Sequence, residues 1–178
     1  MGRPGSRKPP SKDSIWFASV EMPVLARKTR VWRIADRGFP LYSGYGAMIY
    51  GGRWNSPGTE VIYAAKSLEG ALLELRVHTA GLPPPKKHGY IWIDLPAGLS
   101  YDVMSRSSLP NWRNLESQTR AYGDHWARTK GSCLLIVPSV IVPAPYTNLL
   151  INPNHPEAAS IKYLRMPKPL SWDSRLFE

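Results

Sequence analysis

The sequence predicts an α+β domain, a strongly bent or split β-sheet with a few flanking helices. Three observations carry that prediction. Strand-like apolar runs outnumber helical ones, so a helix bundle is excluded. Prolines fall between those runs, 18 in 178 residues, which argues against a regular βαβ repeat. The chain is 43% apolar, enough for one core without disulfide staples.

In chain order, residues 1–22 read as a flexible, basic, Pro-rich leader, and residues 23–178 as a single domain. The first strand is expected in "ARKTRVWRIAD", on Val31, Trp32 and Ile34. "GFPLYSGYGAMIYGGRWNSPG" is dense in Gly, Pro and aromatics and reads as an irregular loop, with turns at Gly51-Gly52 and Ser56-Pro57-Gly58. "TEVIYAA" is the second strand. Ser67 offers an N-cap to a helix carrying Leu68, Ala71, Leu72 and Leu75 on one stripe. "GLPPPKKHG" ends that unit and "YIWIDL" is the third strand. A second helix is expected over "NLESQTRAYGDHWART", where Leu115, Tyr122 and Trp126 recur about every turn, with Gly131 as its stop. "SCLLIVPSVIVPAP", "TNLLINP" and "SIKYLRM" supply further short strands.

Composition narrows the function classes. The single cysteine, Cys133, allows no internal disulfide and sits in an apolar run, where a small buried hydrophobe is the expected reading. No run has transmembrane length and the N-terminus has no apolar signal core, so a cytoplasmic location is expected, with no membrane partner. The net charge of +10 suits nucleic acid, an acidic protein or an anionic ligand. Lys and Arg are scattered through the body rather than gathered in a block, so direct nucleic-acid binding is not expected. A basic nucleic-acid-binding or nuclease toxin stays as the alternative of another class, supported by the charge and by 7 Trp and 9 Tyr. There is no P-loop, GxGxxG, CxxC or HExxH. His78, His88, His125 and His155 are too dispersed to suggest a metal, so no metal and no bound cofactor are expected.

Several residues are candidates for chemistry. Arg33 interrupts an apolar strand, so it lies either on the wet face of the sheet or buried against an anion. Arg53 follows two glycines, which permit close approach of backbone to a ligand. Glu74 falls on the flank of the helical stripe, where a carboxylate is either solvated or projects into a cleft. Glu69, in the first turn, suits the helix dipole and needs no further role. Ser139 in "IVPSVIVP" either bonds its own backbone or donates to a ligand. Asn148 and Asn152 in "TNLLINPNHP" are either ligand amides or turn residues.

The order "VWRIA", "GGRWNSPG", "VIYAAKSLEGALLE", "LIVPS", "NLLINPNHP", "LSWDSRLF" closely resembles the RES domain family, over roughly residues 30–178. The family takes its name from an arginine, a glutamate and a serine. The resemblance implies an ADP-ribosyltransferase-like fold and a toxin of a bacterial toxin–antitoxin pair. The implied substrate is NAD⁺, degraded by hydrolysis or phosphorolysis with inorganic phosphate as the second acceptor; transfer of ADP-ribose to a protein is the alternative. It also implies a helix-turn-helix antitoxin that plugs the active site. By resemblance Arg33 and Arg53 clamp NAD⁺, and Tyr63 supports its nicotinamide end. Glu74 orients the ribose and faces its developing charge. Ser139 bonds the ligand with Asn148 or Asn152 near it, and the aromatic loop from Leu41 to Trp54 frames the cleft.

Overall fold

The computed structural model describes residues 22–79, 87–173 and 175. Residues 1–21 of the expected leader, residues 80–86 of the expected Gly/Pro terminator, and Ser174 and residues 176–178 of the last motif lie outside them. Among the described residues, eight strands and three α-helices run in the order β1 (Thr29–Asp36), α1 (Tyr45–Tyr50), β2 (Ile62–Ala65), α2 (Leu68–His78), β3 (His88–Leu95), β4 (Tyr101–Val103), α3 (Glu116–Thr129), β5 (Leu134–Pro138), β6 (Thr147–Ile151), β7 (Lys162–Tyr163) and β8 (Lys168–Pro169). One sheet holds all the strands, in the order β4-β5-β6-β2-β1-β3-β7, with β8 also paired to β3. Only β4 and β5 run parallel, which is the α+β class expected from the proline-broken runs.

Alternation along the strands sorts the core onto the two faces of this sheet. Val31, Ile91, Ile93, Ile62, Leu134, Leu149 and Ile151 pack on one face. Val61, Leu135, Val137 and Leu150 pack on the other with Trp54, Trp112 and Trp126. Because β5 and β6 are covered on both sides, they read as continuous apolar runs rather than alternating ones. Cys133 is fully buried in the first cluster, as expected. Burial pushes its thiol up to about 12, so it is an inert hydrophobe.

The sheet is split in the middle. β1 pairs with β3 over eight residues, Thr29↔Leu95 to Asp36↔His88, yet it meets β2 in one register pair, Trp32↔Ala65. Beyond that pair the strands diverge, and the guanidinium of Arg33 fills the gap. Its Nη1 donates to Tyr63 O of β2 (2.9 Å), Nε to Leu41 O (2.7 Å) and Nη2 to Ser43 O (3.1 Å). A side chain thus replaces the missing ladder bonds.

Local expectations were met at Ser67, whose Oγ caps α2 by accepting from Gly70 N at 3.1 Å. Three others need correction. The "irregular" loop contains α1, a helix of six residues closed by Gly51 at φ 71°. It is too short to show a periodicity. The left-handed residue that ends α3 is Lys130 (φ 51°), one position before the expected Gly131. Leu115, expected on the apolar stripe of α3, is its exposed N-cap. His155 has a local role, since its Nδ1 accepts from Glu157 N and caps a 3-10 turn over Pro156–Ser160.

The second face brings α3 onto the "GGRWNS" loop, with Thr119 Oγ1 donating to Arg53 O (2.6 Å), Arg120 Nε to Gly52 O (2.9 Å) and Ser56 N to Asp124 Oδ1 (2.9 Å). Gly123 permits this closeness, because a Cβ there would lie 1.8 Å from Trp54 O. Gly123→Ala is therefore expected to cost about 1–3 kcal/mol, as overpacking of a closed contact does. Gly46→Ala in α1, where a Cβ meets nothing within 4 Å, is the matched control and should not fall. Thermal unfolding of the pair checks this; equal melting temperatures would mean the loop and α3 are not in contact.

Candidate active site

Two joined cavities open between α2, β2, β6 and the α1 region. The larger one has a volume of about 650 Å³ and is bounded by Tyr50, Arg53, Trp54, Val77, Glu116 and Ile141, among others. That size is in the range that accepts a drug-sized ligand. The smaller one, about 170 Å³, lies against Trp32, Ile34, Ala64, Ala65, Ala71 and Leu75. The expected frame from Leu41 to Trp54 does border the cleft, through Gly46, Ala47 and Tyr50 to Trp54.

Glu74 stands at the junction of the two cavities. It reaches there because α2 packs shallowly. Gly70 and Ala71 are its buried residues, Leu73 is exposed, and the rest of the expected stripe is half-buried. Tyr146 explains the choice of glycine at position 70, since its hydroxyl lies 1.5 Å from where a Cβ would be. Glu74 Oε1 accepts from Ser139 Oγ at 2.9 Å and from Asn148 Nδ2 at 2.6 Å. Its other oxygen makes no hydrogen bond among the described residues and remains available to a ligand.

Ser139 is placed differently from a ligand donor. Its hydroxyl accepts from Ile141 N (3.1 Å) and Val142 N (2.9 Å), and its proton is directed at Glu74. The backbone reading of Ser139 holds, its proton goes to Glu74 rather than to a ligand, and Ser139 is a positioning residue. Asn148 and Asn152 part company. Asn148 lines both cavities and its buried Oδ1 has no partner among the described residues. Asn152 is fully buried elsewhere, with Nδ2 on Ala127 O (2.9 Å) and Oδ1 on Asn154 N (3.0 Å). The expectation that Asn152 borders the ligand is therefore corrected: the four residues from 148 to 152 carry it to the far end of β6.

The arginines are more heavily committed than the sequence suggested. Arg33 lines both cavities but spends three N–H groups on the carbonyls named above. Burial draws its pKa down to about 10, so it remains a cation at neutral pH. Arg53 borders the larger cavity, lies over the Trp112 ring, and donates through Nη2 to Trp112 O (2.9 Å) and to Arg113 O. Its buried Nε has no partner among the described residues. Tyr63 lines both cavities; its hydroxyl donates to Asn55 Oδ1 (2.7 Å) and accepts from Trp54 N (3.0 Å). Burial raises its pKa far enough to keep it a phenol.

Sequence reasoning missed Asn55, which is fully buried and ties Tyr63 to Ala47 O (2.7 Å) and Thr59 O (2.9 Å). It also missed His78, which borders both cavities. Its spacing of four from Glu74, one helical turn, was the available signal. Away from the cleft, ligating atoms of Cys133, His155 and Glu157 lie within 4.8 Å of one another. Glu157 Oε2 is held there by Ser100 N (2.8 Å) and Oγ (2.7 Å).

The fold is shared with a solved structure. The structure of the M. tuberculosis MbcT–MbcA toxin–antitoxin complex matches with a TM-score of 0.64 at 20% identity, over 83% of this chain and 87% of that one. The RES domain model matches residues 30–173, and the chain belongs to the RES domain family. Two relatives are the "Prs ADP-ribosylating toxin" of Sphingobium sp. (strain YBL2) and "Toxin Res" of Pseudomonas putida (strain KT2440). The first is 40% identical over 83% of this chain and 96% of its own length; the second is 37% identical over 83% and 99%. Among the described residues no helix is long and apolar enough to cross a membrane.

Proposed function

We propose that this RES-family protein is the toxin of a toxin–antitoxin pair and cleaves the nicotinamide–ribose bond of NAD⁺. One observation carries the reading: the Glu74 carboxylate, oriented by Ser139 and Asn148, sits with one oxygen free at the junction of two cavities. Breaking the bond sends its electron pair to nicotinamide, which leaves neutral, and builds positive charge on the ribose, as in glycoside hydrolysis. A carboxylate held in place before the reaction stabilises that charge without reorganising. The free oxygen of Glu74 accepts a ribose hydroxyl. Arg33, Arg53 and the aromatic walls hold the rest of the dinucleotide, with the remaining guanidinium N–H groups directed at its anionic part. Water or inorganic phosphate then attacks the ribose carbon, and water is ranked slightly ahead because phosphate needs contacts of its own. The leaving group already carries its positive charge, so no metal is required for its departure.

A second reading, transfer of ADP-ribose to a protein, is favoured by the name of the Sphingobium relative. Both readings include an antitoxin partner, proposed as an acidic helix-turn-helix protein whose tail occupies the Arg33/Arg53 side of the cleft. Purified, antitoxin-free protein is expected to deplete NAD⁺ and release nicotinamide, measured by chromatography. Product mass with and without phosphate separates ADP-ribose from its 1-phosphate, and labelled NAD⁺ shows any transfer to protein. An unchanged NAD⁺ peak with folded protein, and no label on lysate proteins, would sink the proposal.

A further inference from the structure

Five residues border both cavities: Arg33, Tyr63, Glu74, His78 and Asn148. Four have their side chains tied into the network already described. His78 is the fifth, and among the described residues its side chain has no hydrogen bond or ion pair. It follows Glu74 by one helical turn, so both project from the same face of α2. It also lies in the last turn of that helix, where the dipole favours a cation.

The arginines leave a deficit that this residue can fill. Three of the five N–H groups of Arg33 already hold backbone carbonyls, and one nitrogen of Arg53 holds two more. A dinucleotide brings a doubly anionic pyrophosphate into the same space, where each charged oxygen needs a donor. The charged groups of the surrounding walls are Arg33 on β1, Arg53 on the loop after α1, Glu74 on α2 itself and Glu116 on α3. Glu116 is paired with Arg120 (2.6 Å).

We propose that His78 is a ligand-binding residue of this site, its imidazole donating a hydrogen bond to the pyrophosphate at the junction of the two cavities. The inference rests on the NAD⁺ reading for the identity of the ligand, and on the cavity walls alone for an anion at this place. His78 makes this contact in the ground state and the transition state alike, so its loss falls on binding. His78→Ala is expected to raise KM for NAD⁺ about tenfold with kcat within about twofold, the size of one hydrogen bond to a charged group. His78→Lys, which supplies a hydrogen-bond donor at the same place, should recover most of the affinity. His78 is exposed, so neither substitution disturbs packing. Calorimetry with inorganic pyrophosphate tests the anion site apart from the reaction, with the same tenfold loss in His78→Ala and recovery in His78→Lys. Unchanged affinity in His78→Ala, or no pyrophosphate binding by the wild type, overturns the inference. A His78-dependent pyrophosphate affinity beside untouched NAD⁺ would sustain the anion site and sink the reaction proposed above.

Discussion

Glu74→Gln is expected to lower NAD⁺ turnover by about a hundredfold or more while unfolding at the wild-type temperature. The amide oxygen of glutamine can still accept from Ser139 and Asn148, the two donors that hold Glu74 Oε1. Volume and orientation are kept, and the change is the loss of negative charge beside the ribose. The defect should appear in kcat, because the charge it opposes develops only in the transition state. Single-turnover assays with nicotinamide release as the readout, run beside a thermal melt, check both halves. Wild-type turnover in Glu74→Gln would reduce the carboxylate to a solvated helix flank and remove the observation on which the function was proposed.

Arg33→Ala is expected to act first on stability. Its guanidinium holds Leu41 O, Ser43 O and Tyr63 O across the split between β1 and β2. Removing it leaves three carbonyls that lose charged donors, a loss of about 3 kcal/mol or more. At this chain length that corresponds to a fall in Tm of roughly 6–12 °C. Arg33→Lys should fall between the two, since one ammonium on a flexible stem cannot reproduce a planar fork reaching three acceptors. If Arg33→Ala melts like the wild type and raises only KM, the residue is a ligand clamp and the carbonyl contacts are incidental. The anion clamp implied by the family resemblance would then be the better reading.

Local order was legible in the sequence wherever it depended on near neighbours. Ser67 capped α2 because an N-cap needs only the following turn. The "SCLLIV" and "NLLIN" runs became central strands because residues buried on both faces leave an uninterrupted apolar signature. Glu74 was placed at the border between buried and wet surface from helical spacing, and a half-buried residue at the cavity junction is where the structure puts it. The chain's own motifs also sufficed to identify the family.

Tertiary structure alone decided how those residues divide their work. Ser139 and Asn148 lie 65 and 74 residues beyond Glu74, and no local pattern says that their hydrogen bonds end on its carboxylate rather than on a ligand. Asn148 and Asn152 have the same chemistry in the same short segment, yet the run of β6 places one in the cleft and the other under α3. Arg33 became the bridge of a split sheet because β1 and β2 diverge after one register pair, a fact of strand geometry that the residue "R" between apolar neighbours does not encode. His78 gained its place because α2 lines both cavities. A hydrogen bond depends on distances of a few tenths of an ångström between segments far apart in the chain, and those distances exist only once the sheet has closed its core.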